Sequence, residues 1–189
     1  MPADAGISPV HLRHAVAALR QGRLLGYPTE AVWGLGCDPR DDAALIALLH
    51  LKRRDPAKGL ILVAADFDSL QPYLRTPAAS VLARAMATWP GPATWVFAAA
   101  DTVSPLLTGD HDSLAVRVSA HPVVRALCRA FGHPLVSTSA NSSGQPPARS
   151  RVDLQLRFGP GLAVMPGALG GALQPTPIRD AVSGAILRA

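Results

Sequence analysis

The chain has 189 residues, 49% of them hydrophobic and 16% charged, with 18 Lys+Arg against 13 Asp+Glu and a formal net charge of +5. Those values exclude a disordered chain and fit one compact domain over residues 1–189, while the basic balance favours anionic partners. The N-terminus has no basic stretch followed by an apolar core, no apolar run approaches the ~20 residues of a membrane helix, and Cys37 and Cys128 form no C-x-x-C pair, so the expectation is a cytoplasmic protein of a reducing compartment with no membrane contact.

In chain order, Ser8-Pro9 reads as an N-cap with proline in the first helical position, and Val10, Val16 and Leu19 keep a helical period to Gln21-Gly22. Arg23 to Tyr27 is a short apolar strand stopped by Pro28, and a glycine-punctuated turn, Trp33-Gly-Leu-Gly36, follows. Asp41-Asp42 opens a second helix whose Leu45, Ile46, Leu48, Leu49 and Leu51 predict burial on nearly all sides. Leu60–Val63 is a buried-type strand. Two helices are predicted over Asp66–Arg75 and Pro77–Thr88, the second halted by Trp89-Pro-Gly-Pro92. Thr94–Phe97, Leu114–Val118 and Leu135–Thr138 read as strands, His121-Pro122 starts a helix reaching Phe131, and Val152–Phe158 is a short helix. The Gly- and Pro-rich tail carries short strands near Ala163-Val164, Ile178 and Ile186-Leu187. This irregular alternation predicts an α/β fold: a twisted mixed parallel/antiparallel sheet flanked by helices.

Residue usage narrows the search for chemistry. The chain has sixteen arginines but only Lys52 and Lys58 as lysines, both within Leu51–Gly59, and Glu30 is its one glutamate. Lysine where arginine is otherwise preferred suggests a need for a compact ammonium. Four segments can carry function. Thr29 and Glu30 lie at a strand's end, exposed to meet a ligand or merely turning a corner. Lys52, Arg53, Arg54 and Lys58 sit where a helix ends, able to converge on polyphosphate or simply to satisfy the helix dipole. Strand alternation puts Ser113, Ala115 and Arg117 on one face, and Arg117, among Leu114, Val116 and Val118, needs an anion: an internal Asp or a ligand carboxylate. Ser137-Thr-Ser-Ala-Asn141 concentrates hydroxyls and an amide at a strand exit, suited to phosphate oxygens, to an amino acid or to turn capping. There is no G-x-x-x-x-G-K-[ST] loop, no G-x-S-x-G elbow and no clustered His/Cys set, so neither a P-loop, a serine nucleophile nor a zinc site is expected.

In this order the segments resemble the YrdC-like threonylcarbamoyl-AMP synthase family, in its short bacterial form. The signature P-T-E, K-x-R and S-x-N stands here as Pro28-Thr29-Glu30, Lys52-Arg53-Arg54 and Ser139-Ala140-Asn141, with Ser113–Val118 between, and the likeness runs from about Arg23 to Arg188. The resemblance implies a basic concave site and an enzyme making L-threonylcarbamoyladenylate and pyrophosphate from L-threonine, bicarbonate or CO2 and ATP, for modification of the tRNA adenosine next to the anticodon. It places Thr29, Arg117, Ser137 and Thr176 at threonine, with Arg117 clamping the carboxylate. Lys52, Arg54, Lys58, Ser113, Ser139, Asn141 and Arg188 fall on the ATP side, Lys52 and Arg54 among them in a catalytic role. Mg2+ would arrive with the nucleotide, with no protein-bound metal, and tRNA threonylcarbamoyl transferase proteins would receive the product.

The chain departs from the family pattern at Asp55, in a usual proline position, which predicts a differently shaped Lys58 loop. Val63 replaces a histidine of longer members, Thr176-Pro177 replaces Ser-Thr, and Trp33 stands for Tyr or Phe. Two rivals remain: a basic RNA-binding module of the same fold without catalysis, for which 5% aromatic content offers little base stacking, and the related chemistry of multidomain hydrogenase-maturation proteins, whose extra domains are absent here. Weak RNA binding stays open on charge alone.

Overall fold

A computed structural model describes residues 6–174 and 176–188. Helix α1 (Pro9–Arg20) starts as its sequence dictates: Ser8 Oγ accepts from the His11 amide at 3.4 Å and Pro9 follows at the first turn. The strands are β1 (Leu25–Pro28), β2 (Trp33–Gly36), β3 (Ile61–Ala64), β4 (Thr94–Ala98), β5 (Ser113–Val118), β6 (Leu135–Ser139), β7 (Ala163–Val164), β8 (Ile178–Asp180) and β9 (Ile186–Arg188). They form one nine-stranded sheet in the order β7-β1-β2-β6-β3-β5-β4-β8-β9. Parallel pairs (β7/β1, β3/β5, β4/β8) are interspersed among antiparallel ones, the mixed sheet expected. Helices α2 (Asp42–Lys52), α3 (Ala79–Met86), α4 (Pro105–Thr108), α5 (Pro122–Phe131) and α6 (Arg151–Phe158) complete the described elements.

The pleat sorts the core into two clusters. Leu62 and Ala64 of β3 and Leu114, Val116 and Val118 of β5 pack with Leu45 and Leu48 of α2 and with Trp89, Trp95 and Phe97. Val63 and Leu135 point the other way, under Val16 and Leu19 of α1 and Val124 and Leu127 of α5. On that second face α1 and α5 cover only part of the sheet. The remainder, where Ile61, Arg117 and Ser137 emerge, opens into a cavity.

Three expectations need correction. Asp66–Arg75 is no helix: the Asp66 carboxylate accepts from the Ser69 amide at 3.0 Å, only Gln71–Tyr73 makes a 3-10 turn, and Leu74 bridges to Ala99. Pro72 and the pull of the β4 edge defeat the helical pattern. Helix α2 is not buried all round: Ala44, Leu45, Leu48, Leu49 and Lys52 face inward while Ile46 is 44% exposed. Trp33–Gly36 is a strand, not a turn. Its glycines are a packing requirement, since a Cβ on Gly36 would lie 2.1 Å from the Val136 carbonyl oxygen and 2.9 Å from the Tyr27 ring. Tyr27 fills that space and donates its hydroxyl to the same carbonyl at 3.1 Å.

Gly36→Ala therefore forces β2 off β6. The expected loss is at least the roughly 1–3 kcal/mol of an overpacked core, measured by urea unfolding; an unchanged midpoint would show that the contact is not required.

Candidate functional site

The cavity on the uncovered sheet face has a volume of about 370 Å3, and a smaller one of about 210 Å3 adjoins it, both walled by Arg54, Leu60, Ile61 and Arg188. Thr29, Arg117, Ser137, Ser139 and Thr176 line the larger, and Lys58 and Ser113 the smaller. Nine of the eleven predicted site residues thus meet in one double hollow, from segments as far apart in sequence as Thr29 and Arg188. The strands explain the convergence. Arg117 pairs across to Val63 in β3, and Ser137 in β6 pairs to Ile61, so alternate residues of three adjacent strands share one face.

Lys52 and Asn141 line neither hollow. Lys52 is 3% exposed, and its Nζ donates to the carbonyl oxygens of Ser139 and Asn141, the latter at 2.7 Å. Asn141 Oδ1 accepts from Ser139 Oγ at 2.6 Å, while its Nδ2 donates to the carbonyls of Ser142 at 3.0 Å and Gln145 at 2.7 Å. The K-x-R lysine and the S-x-N asparagine therefore shape the loop that presents Ser139. Arg54 gives Nε and Nη2 to the Gly59 carbonyl, at 3.1 and 2.9 Å. Arg53, at positive φ of 51°, ends α2 and stays exposed outside both hollows. Asp55 caps the turn Pro56–Lys58 by accepting from the Ala57 amide at 3.0 Å, which sets the course of the Lys58 loop. Val63 is fully buried among the α5 contacts, outside the cavity lining.

The anion that Arg117 requires is internal, and it is Glu30, not an aspartate: Nη2 and Oε2 lie 3.3 Å apart, both side chains about nine-tenths buried. Arg117 Nη1 also donates to Thr176 Oγ1. Glu30 and Thr29 are thus not exposed at the strand end; they are 9% and 7% accessible. Ser119 Oγ donates to Glu30 Oε1 at 2.7 Å and itself accepts from the His121 amide at 3.1 Å. The segment leading to Thr176 docks on the same spot through Gly170 N to Thr29 O at 3.0 Å and Ala172 N to Glu30 O at 2.8 Å. Sequence reasoning did not foresee this Glu30–Ser119–His121 bed, although the uniqueness of Glu30 in the composition pointed to it.

A family model for the Sua5/YciO/YrdC domain, described as "Telomere recombination", matches residues 17–189. The chain is 59% identical over 174 residues to a threonylcarbamoyl-AMP synthase of Chromohalobacter salexigens (92% of this chain, 94% of the relative). It is 53% identical over 184 residues to one of Halorhodospira halophila (97% and 96%). Among solved structures, P. abyssi Sua5 complexed with L-threonine superposes with a TM-score of 0.84 at 29% identity, over 89% of this chain, which spans only 50% of that longer protein. E. coli YciO has the same fold, with a TM-score of 0.81 at 23% identity over 94% of this chain and 87% of that one. The relatives carry an enzyme's name, not that of a binding module.

Electrostatically the hollow is cationic: Arg54, Arg117 and Arg188 line it, and among the described residues no carboxylate does. Burial, then the facing Arg188, makes Arg54 a weaker base than usual. Burial alone would raise the Glu30 carboxyl, but Arg117 and the Ser119 hydroxyl outweigh it and hold the group below its ordinary value. Burial, then Arg54, brings the Lys52 ammonium down to about 8. Between that value and the 10.5 of an ordinary lysine, the folded protein binds fewer protons at Lys52 than the unfolded chain, so stability rises with pH there. Relative to Lys52→Met, the wild type should gain stability as pH is raised from 8 to 10, with a slope of at most about 1.4 kcal/mol per pH unit. Urea unfolding of both proteins at several pH values checks this, and a gap that stays constant would mean the amine titrates normally.

Proposed function

The chain belongs to the Sua5/YciO/YrdC family, and we propose that it is a threonylcarbamoyl-AMP synthase, a nucleotidyltransferase that joins L-threonine, bicarbonate or CO2 and ATP. The observation that carries the reading is the double hollow lined by three arginines and by several hydroxyls. Such walls suit a reaction whose substrates are all anions and whose transition state gathers negative charge.

In this reading Arg117 holds the threonine carboxylate, with Thr29, Ser137 and Thr176 meeting the polar groups of the same substrate. Arg54, Arg188, Lys58, Ser113 and Ser139 receive the triphosphate. Lys52 and Asn141 act from behind, by fixing the loop that carries Ser139. The threonine amine, having lost its proton, adds to CO2 and becomes an N-carboxylate. An oxygen of that group attacks the α-phosphorus of ATP, the bond to the β-phosphate oxygen breaks, pyrophosphate leaves, and a mixed carbamic–phosphoric anhydride remains. No enzyme-bound covalent intermediate is needed, and among the described residues neither carboxylate nor histidine lines the larger cavity to serve as a base. Mg2+ would come with the nucleotide and would supply charge neutralisation; among the described residues no group of His, Cys, Asp and Glu converges as a metal site. The labile product then passes to tRNA threonylcarbamoyl transferase proteins. Among the described residues no helix is long and apolar enough to cross a membrane.

Purified protein with ATP and Mg2+ should release pyrophosphate only when threonine and bicarbonate are both present; release indifferent to either would reject the synthase. Arg117→Ala should raise the KM for threonine by at least about 30-fold, equivalent to the 2 kcal/mol or more that follows loss of one partner of a buried charge pair. An unchanged KM in the folded variant would remove Arg117 from the threonine site. Lys58→Ala should impair ATP turnover more than Arg53→Ala, because Lys58 lines the smaller hollow and Arg53 lines neither. Equal effects would reduce the segment to diffuse charge.

A further inference from the structure

Three guanidinium groups face one hollow that is to hold two chemically different anions, an amino-acid carboxylate and a polyphosphate. Geometry alone does not keep them apart, since a guanidinium fork accepts either. The three arginines differ in what stands behind them. Among the described residues, Arg117 is the only one of them with an acid in ion-pairing range, Glu30. Arg54 gives only Nε and Nη2 to backbone carbonyls and has no carboxylate in ion-pairing range, and Arg188 has no carboxylate partner either, among the described residues.

Glu30 is held firmly in that place. Its carboxylate accepts from Ser119, its carbonyl accepts from Ala172, and a Cβ on Gly170 would come within 2.9 Å of its Cα, so the overlying segment fits only as glycine. Glu30 does not line the cavity, and so cannot itself touch a ligand there. The cluster also contains the three buried side-chain atoms without a hydrogen-bond partner among the described residues: Glu30 Oε2, Arg117 Nε and His121 Nδ1. Buried polar groups left in this state cost stability and concentrate where function demands them. A guanidinium backed by a buried carboxylate presents a dipole to the hollow, strong at contact and weak beyond it. Arg54 and Arg188 present uncompensated charge that adds up on a polyanion.

On the reading that this hollow joins threonine to ATP, we propose that Glu30 is a specificity-determining residue that sorts the two anions. By compensating Arg117 it reserves that guanidinium for a monoanionic carboxylate and leaves polyphosphate to Arg54 and Arg188. Without the Glu30 charge, Arg117 becomes a third free cation, and the phosphate chain competes for the threonine position.

The test is calorimetric binding of L-threonine to the intact protein, without and with saturating pyrophosphate as the polyphosphate probe. In the wild type, pyrophosphate should change the threonine Kd by less than about threefold. In Glu30→Gln, which keeps shape and removes charge, it should raise the apparent Kd by about tenfold or more, a shift of 1.4 kcal/mol. Glu30→Asp, which restores the charge, should bring back the insensitivity; a merely structural role would weaken threonine binding in both variants without any dependence on pyrophosphate. Glu30→Gln responding like the wild type overturns the proposal. If Glu30→Gln does not fold, the wild type decides: threonine and pyrophosphate excluding one another there would overturn it too. Wild-type protein that binds no threonine would instead sink the synthase reading itself.

Discussion

Arg117 is the penultimate residue of β5, flanked along the strand by buried Val116 and Val118, and a guanidinium so placed must be given an anion. Much of the site's construction follows from meeting that demand. Glu30 comes from the loop between β1 and β2, Ser119 from the end of β5, and His121 from the start of α5. Thr176 is brought over by a tail segment that docks on the Thr29 and Glu30 backbone. One buried ion pair thereby ties the β1–β2 connection to β5, and through Thr176 to the tail segment, on the open face of the sheet. Such a pair contributes little net stability for its desolvation cost, and its value here lies in where it holds the guanidinium.

The sheet supplies the rest by arithmetic. Two clusters of apolar side chains divide between its faces, and the helices on the second face, α1 and α5, leave the β3–β5–β6 end bare. On that part Ser113, Arg117 and Ser137 share the face with Ile61 and Ala115, where the residues beneath the helices are Val63 and Leu135. The same period-2 rule that buries the core therefore builds the site, and a one-residue slip of β5 would carry Arg117 into the core and Val116 into the cavity.

Most of the architecture was legible in the sequence because its signals are local. Ser8-Pro9 and Asp41 cap helices as their chemistry requires, and Arg117, with Ser113 and Ala115, falls on the predicted face. The failures came where distant contacts overrule local preference. Trp33–Gly36 reads as a turn until Tyr27 and the Val136 carbonyl are seen to need its missing side chains. Asp66–Arg75 has helical residues but is drawn out by the β4 edge. Arg117 announces that it needs an anion, yet nothing near it in sequence says that Glu30, on a different strand connection, supplies it. Lys52 was legible as special and not as buried, since its role depends on two carbonyls nearly ninety residues away.

In the proposed reaction this hollow brings a carboxylated amino acid and a nucleotide together for anhydride formation. Incubation with 13C-bicarbonate, L-threonine, ATP and Mg2+, followed at once by 13C NMR and mass spectrometry of the adenylate fraction, tests it directly. The expected product carries one labelled carbon, in a carbamoyl group linking threonine to AMP. An adenylate without the label, in which threonine's own carboxylate is joined to AMP, would contradict it.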